Sequence, residues 1–102
     1  PAAVGETALP IALELRGNYP NPFNPSTSIS FTLPASGQVS LAVYDITGRT
    51  VRELVSGFMP AGAHSVTWDG RDENGTTVSS GVYLSRLLQG KNSVSRRMLL
   101  VK

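Results

Sequence analysis

Three carboxylates crowd the run Asp69-Gly70-Arg71-Asp72-Glu73-Asn74-Gly75. Oxygen ligands at that density are what a calcium ion takes. The helix-loop-helix calcium pattern nevertheless fails. With Gly75 as its sixth position, Gly70 would be the first and Gly81 the twelfth, where acids belong. A weak surface site through Asp69 and Asp72 is the only metal expectation left. The competing reading is a turn whose Asp side chains accept backbone N–H groups. Glycoside hydrolysis needs two carboxyls facing each other across a cleft, and these share one loop. His64 is the single histidine and falls on an alternating, strand-like stretch. Serines are plentiful, yet there is no Gly-x-Ser-x-Gly elbow and no Gly-x-x-x-x-Gly-Lys phosphate loop. The absence of cysteine excludes disulfides and Cys-based zinc or redox centres. The expectation is a chain with no catalytic residue and no cofactor.

Charge is more informative than chemistry. The net charge is only +2, but Glu73 is the last acid, and Arg86, Lys91, Arg96, Arg97 and Lys102 all follow it. A solvated strand face would explain this, as would a docking face for an acidic partner. No aromatic interleaves with these cations and no helix-turn-helix or RNA-binding signature occurs, so nucleic acid is not an expected partner. No stretch approaches the roughly 18 apolar residues of a membrane span.

The elements that would position these residues are strands. With 102 residues there is room for one domain and a true core. Ten glycines and seven prolines suit short strands and tight turns. Apolar residues alternate with period two in Ala12 to Arg16, Ser28 to Leu33, Gln38 to Asp45 and Ala63 to Asp69. Thr50 to Val55 also reads as a strand, with a bulge where alternation breaks at Glu53-Leu54-Val55. Asp45 to Arg49, Met59 to Gly62, Asn74-Gly75 and Gly90-Lys91-Asn92 read as turns. Val82 to Gln89 and Ser93 to Lys102 carry apolar side chains on both faces. Either both faces are covered within the domain, or one is left to contact a partner. About seven strands predict an all-β, immunoglobulin-like antiparallel sandwich. Its core would be Trp68 with Ile29, Phe31, Leu41 and Val43, each side chain contributing roughly 1.5–3 kcal/mol.

The run Asn18-Tyr19-Pro20-Asn21-Pro22-Phe23-Asn24-Pro25 is neither helix nor central strand, because each proline fixes φ and removes a donor. A polyproline linker is one reading. Two large aromatics favour the other, a stiff extended segment pinned to the domain edge by Tyr19 and Phe23. Ahead of it, residues 1–8 read as an inter-domain linker. No initiator Met or signal peptide opens the chain. The expectation is therefore a fragment from the C-terminal end of a longer polypeptide.

Asn18 to Thr27, Val43 to Arg49, Ala61 to Asp72, Gly75, Ser80-Gly81-Val82-Tyr83 and Arg97-Met98-Leu99-Leu100-Val101-Lys102 form an ordered set. Together they resemble the C-terminal sorting domain of proteins exported by the type IX secretion system, over residues 9 to 102. The central part is also similar to the immunoglobulin-like domain of flagellar hook-capping proteins. The first resemblance implies a non-catalytic secretion and sorting module at the end of a larger protein. It implies upstream cargo domains, recognition by the type IX translocon, and a secreted or surface-attached location. By match to the motif it implies recognition through Gly81, Val82, Tyr83, Arg96, Arg97, Leu99, Val101 and Lys102. The rival expectation is a carbohydrate-binding or spacer module on a secreted glycosidase. Its sugar platform would draw on Tyr19, Phe23, Tyr44, Phe58 or Tyr83.

Overall fold

The computed structural model describes residues 12–102, which form seven antiparallel strands in two sheets, with no helix among them. The strands are β1 (Glu14–Tyr19), β2 (Thr27–Leu33), β3 (Gly37–Asp45), β4 (Thr50–Met59), β5 (Gly62–Trp68), β6 (Gly81–Gln89) and β7 (Asn92–Leu100). One sheet has the order β1-β2-β5 and the other β4-β3-β6-β7. This is the expected immunoglobulin-like sandwich. The linker expected over residues 1–8 lies outside the described residues.

Alternation decides the core. Ile29, Phe31 and Leu33 of β2 and Val39, Leu41 and Val43 of β3 are buried, and they meet Trp68, Leu87, Met98 and Leu100 between the sheets. Removing that apolar surface from water is the main stabilising term. Trp68, at the end of β5, is fully buried, with ring centroids 5.6 Å from Phe23 and 5.4 Å from Tyr83. Its Nε1 donates to the Arg71 carbonyl at 3.0 Å, so the buried indole leaves no polar group unpaired.

The bulge predicted in β4 is present. Val55 pairs with Leu41 and Glu53 with Ala42, which leaves Leu54 as the extra residue. A second shift leaves Val51 extra between Arg52 and Thr50. Both re-aim the strand, so Val51, Leu54 and Val55 can all reach the core despite breaking alternation.

The proline-rich segment is docked, but not as an extended rod. It bends through residues 20–25 and is held by Phe23. The Phe23 N–H donates to the Leu99 carbonyl and its own carbonyl accepts from Val101 N–H, both at 3.0 Å. Leu99 N–H donates to Asn21 Oδ1 at 3.0 Å. Tyr19, expected as a second pin, is 81% exposed and pins nothing. Its place is taken by the buried pair Asn18 and Thr27. Asn18 Nδ2 donates to Thr27 Oγ1 and to the Pro20 carbonyl, and Thr27 Oγ1 donates to that same carbonyl at 2.7 Å.

The β3–β4 turn is built on Asp45. Its carboxylate accepts from the Thr47 hydroxyl and backbone and from the Arg49 backbone and side chain. These bonds, the Thr47 hydroxyl first, lower its pKa from 3.8 to about 2. A depressed carboxyl stabilises the fold above its unfolded pKa and loses that contribution as pH falls through the folded one. The expected outcome is a melting temperature that drops between about pH 4 and pH 2. The Asp45→Asn variant should melt lower than the wild type at pH 7 and show a smaller acid drop in thermal scans across that range.

Candidate recognition face

The β6–β7 hairpin turns at Gly90-Lys91, and this two-residue loop fixes the register. Val82 pairs with Leu99, Leu84 with Arg97, and Arg86 with Ser95. These residues alternate with the buried Tyr83, Ser85, Leu87, Met98 and Leu100, so they occupy the outer face of the sheet. The question of two-sided apolarity is thereby resolved. One face is core, while Val82 and Leu99 on the other are each 39% exposed. A shallow groove of about 420 Å³ runs beside them, between Arg97 and the Asn21-Pro22 corner of the proline-rich segment.

The electrostatics divide sharply along the chain. Arg16 pairs with Glu14, Arg49 with Asp45, and Arg52 and Arg71 with Asp69. Every cation before β6 thus has a carboxylate within 4 Å. Among the described residues, none of Arg86, Lys91, Arg96, Arg97 and Lys102 has one. Arg86 and Arg97 stand beside exposed apolar side chains with their charge uncompensated. Such a surface raises the local concentration of acidic partners and loses that effect in salt.

The eight residues implied by the resemblance divide into four groups. Val82, Arg97, Leu99 and Val101 present side chains to solvent, the last 47% exposed. Tyr83 does not. It is buried, its hydroxyl donates to the Ser79 carbonyl at 2.6 Å, and its ring meets Trp68 edge-on, so it is a core residue. Arg96 has the inward parity of Met98, and at the sheet edge its side chain reaches across to β1. There Nε donates to the Leu15 carbonyl at 2.9 Å, closing the seam between the sheets. Gly81 opens β6 opposite Leu100, and Lys102 N–H donates to Ser80 Oγ. The last strand stops at Leu100 rather than at Lys102, because its partner β6 begins at Gly81, opposite Leu100, and Val101 N–H turns to the Phe23 carbonyl instead. The β7 edge is likewise latched at Leu99 and is not open along its whole length. Arg86 and Leu84 belong to the outer face and were not among the expected site residues. The hairpin register was the signal that would have found them.

Asp69 is engaged by the Arg52 side chain, the Arg71 N–H and the Arg71 guanidinium. Asp72 Oδ1 accepts from the N–H groups of Asn74 and Thr76. Both carboxylates serve turns, and no group of three metal-ligating side chains occurs among the described residues. The aromatics make no sugar platform. Phe23 and Tyr83 are buried, and Tyr44 is half-buried. Tyr19 and Phe58 lie at opposite ends of the sandwich, near Ser28 and near Met59 respectively.

Comparisons with known proteins place this geometry. The model of the FlgD Ig-like domain matches residues 20–91. The basal-body rod modification protein FlgD of Salmonella typhimurium is 46% identical over 46 residues, which are 45% of this chain and 20% of that protein. The chain thus spans a fifth of the length of the curated relatives it matches. The crystal structure of FlgD from P. aeruginosa is 28% identical, with a TM-score of 0.57, covering 72% of this chain and 58% of that one. PorZ of Porphyromonas gingivalis, described as an essential surface component of its type IX secretion system, shares the fold. Its TM-score is 0.59 at 23% identity, over 89% of this chain and 12% of that one. Latent PorU of the same organism shares it too, with a TM-score of 0.69 at 20% identity, over 88% of this chain and 9% of that one. With β2 through β6 and the proline-rich corner inside the matched segment, this chain belongs to the FlgD Ig-like domain family.

Proposed function

We propose that this domain is a non-catalytic sorting module that directs a larger exported protein through the type IX secretion system to the cell surface. One observation carries the reading. The cations without carboxylate partners gather on β6, β7 and the residues just after them, beside the exposed Val82, Leu99 and Val101. The family match ends at Lys91, so four of the five unpaired cations, Arg86 aside, lie at or beyond its end. The recurrence of this fold in PorZ, a protein described as part of that machinery, is consistent with the reading. The sandwich acts as a rigid platform for an acidic reader, which meets Arg86 and Arg97 over an apolar floor. Upstream cargo travels as a passenger.

The family match supports a second reading, a structural module of a flagellar hook-cap type of assembly. Export separates the two. A fluorescent reporter with a secretory signal is fused ahead of the domain in a type IX-competent bacterium. The Arg86→Glu/Arg97→Glu variant reverses two exposed charges on the outer face and leaves the core alone. Its export is expected to fall at least about tenfold, the effect of roughly 1.4 kcal/mol of lost recognition, with its circular dichroism unchanged. Undiminished export of that variant, or equal export in a strain lacking the translocon, rejects the proposal.

A further inference from the structure

The sandwich has four edge strands, and three of them are guarded. β1 carries Glu14 and Arg16, shifts register between Leu15 and Asn18, and is tied to Arg96. β7 is latched at Leu99 by Phe23 and Asn21 and carries Arg96 and Arg97. β4 has two bulges, and its bulged half is capped by Glu73. The Glu73 N–H donates to the Val51 carbonyl, and the Glu73 carboxylate accepts from Glu53 N–H at 2.7 Å. Charges, bulges and covering loops are the devices that keep sheet edges from pairing.

β5 has none of them. Gly62–Trp68 contains no charged residue and no proline, and pairs with β2 in unbroken register from Thr27↔Trp68 to Leu33↔Gly62. Among the described residues no hydrogen bond reaches the backbone on its other side. Its outward side chains, Ala63, Ser65 and Thr67, are small and exposed. Its inward His64 and Val66 remain only half-buried at the edge.

We propose that β5 is a self-association edge, where two copies of this chain pair antiparallel about Ser65 into one continuous six-stranded sheet. A two-fold axis there sets Ala63 against the partner's Thr67 and His64 against the partner's Val66. No charge opposes a like charge, and the half-buried Val66 and His64 lose their remaining contact with water. A strongly charged partner finds no complement on this strand, whereas the uncharged strand complements itself. The inference is independent of the export reading.

Sedimentation of the 102-residue chain from about 10 μM to about 1 mM tests it, a range chosen because edge pairing alone is a small interface. The average mass should rise toward twice the monomer. Ala63→Lys/Thr67→Lys sets lysines opposite each other across the axis and should remain monomeric. Ala63→Glu/Thr67→Lys sets opposite charges there and should associate at least as strongly as the wild type. Ser65→Cys provides a second measurement, since the chain has no other cysteine. Residues facing across an antiparallel pair come close enough for a disulfide after small adjustment. Its oxidation to a covalent dimer should outpace that of an exposed loop control, Thr76→Cys, by at least about tenfold. A wild type that stays monomeric throughout, a double-lysine variant that associates like the wild type, or equal rates for the two cysteine variants would each overturn the proposal.

Discussion

Replacing Trp68 with alanine is expected to remove about 3–5 kcal/mol of stability. A domain of this size has about 5–15 kcal/mol in total, so the variant should melt roughly 15–30 °C lower. The indole is fully buried and bridges three parts of the chain. Phe23 of the proline-rich segment lies on one side of it and Tyr83 of β6 on another, while the Arg71 carbonyl takes its N–H. A cavity at this point loosens the core, the proline-rich latch and the acidic loop together. Trp68→Phe keeps most of the ring and loses the hydrogen bond, and should cost only about 1–2 kcal/mol. Urea titration followed by circular dichroism measures both, since Trp68 is the only tryptophan and cannot serve as the probe in its own absence. A loss below about 1 kcal/mol in Trp68→Ala would mean that Phe23 and Tyr83 close the gap by themselves.

Gly70→Ala is expected to be the next most damaging change, at about 2–5 kcal/mol. Gly70 is buried, with φ at +76°, and a Cβ there would stand 2.8 Å from the Pro25 carbonyl oxygen. That neighbour is backbone and cannot rotate away. The methyl group must therefore push the acidic loop off the proline-rich segment, or shift Pro25 and with it Thr27. Gly75 separates the two causes. Its φ is +82°, but nothing lies within 4 Å of its would-be Cβ. Gly75→Ala pays only the left-handed backbone term, about 1–2 kcal/mol. The difference between the two variants in one denaturation series reports the contact alone. Equal losses would show that Pro25 and Gly70 separate freely.

Local rules made most of the fold legible. Clean alternation in Ser28 to Leu33 and Gln38 to Asp45 identified both the strands and their core faces, because the opposite faces carry Ser, Thr, Gln, Ala and Tyr and are covered only in part, Thr32 and Ala42 aside. The break at Glu53-Leu54-Val55 marked a true bulge. Sequence patterns were weaker where partners lie far away along the chain. Tyr19 and Phe23 are equally large aromatics in the same proline-rich run, and nothing local says which turns inward. Leu99 and Val101, some 76 residues further on in the case of Leu99, select Phe23 by offering it a ladder. Tyr83 sat among motif residues and read as part of the recognised end, yet its packing on Trp68 makes it core. The basic outer face was half legible. The charge asymmetry was visible at once, whereas Arg86 and Leu84 needed the hairpin register before they joined Arg97 and Leu99.

The closing seam also sets an order of events in time. Met98 and Leu100 fill the interior, and Leu99 and Val101 supply the rungs on which Phe23 hangs. Arg96 reaches back 81 residues to Leu15. A polypeptide that emerges from the ribosome, or threads through a pore, N-terminus first has to wait for its last strand before water can leave the space between the sheets. Contacts this distant in sequence put such folds at the slow end, roughly milliseconds to seconds. During that interval the nascent segment is a pliable thread, and the arrival of β7 turns it into a solid body.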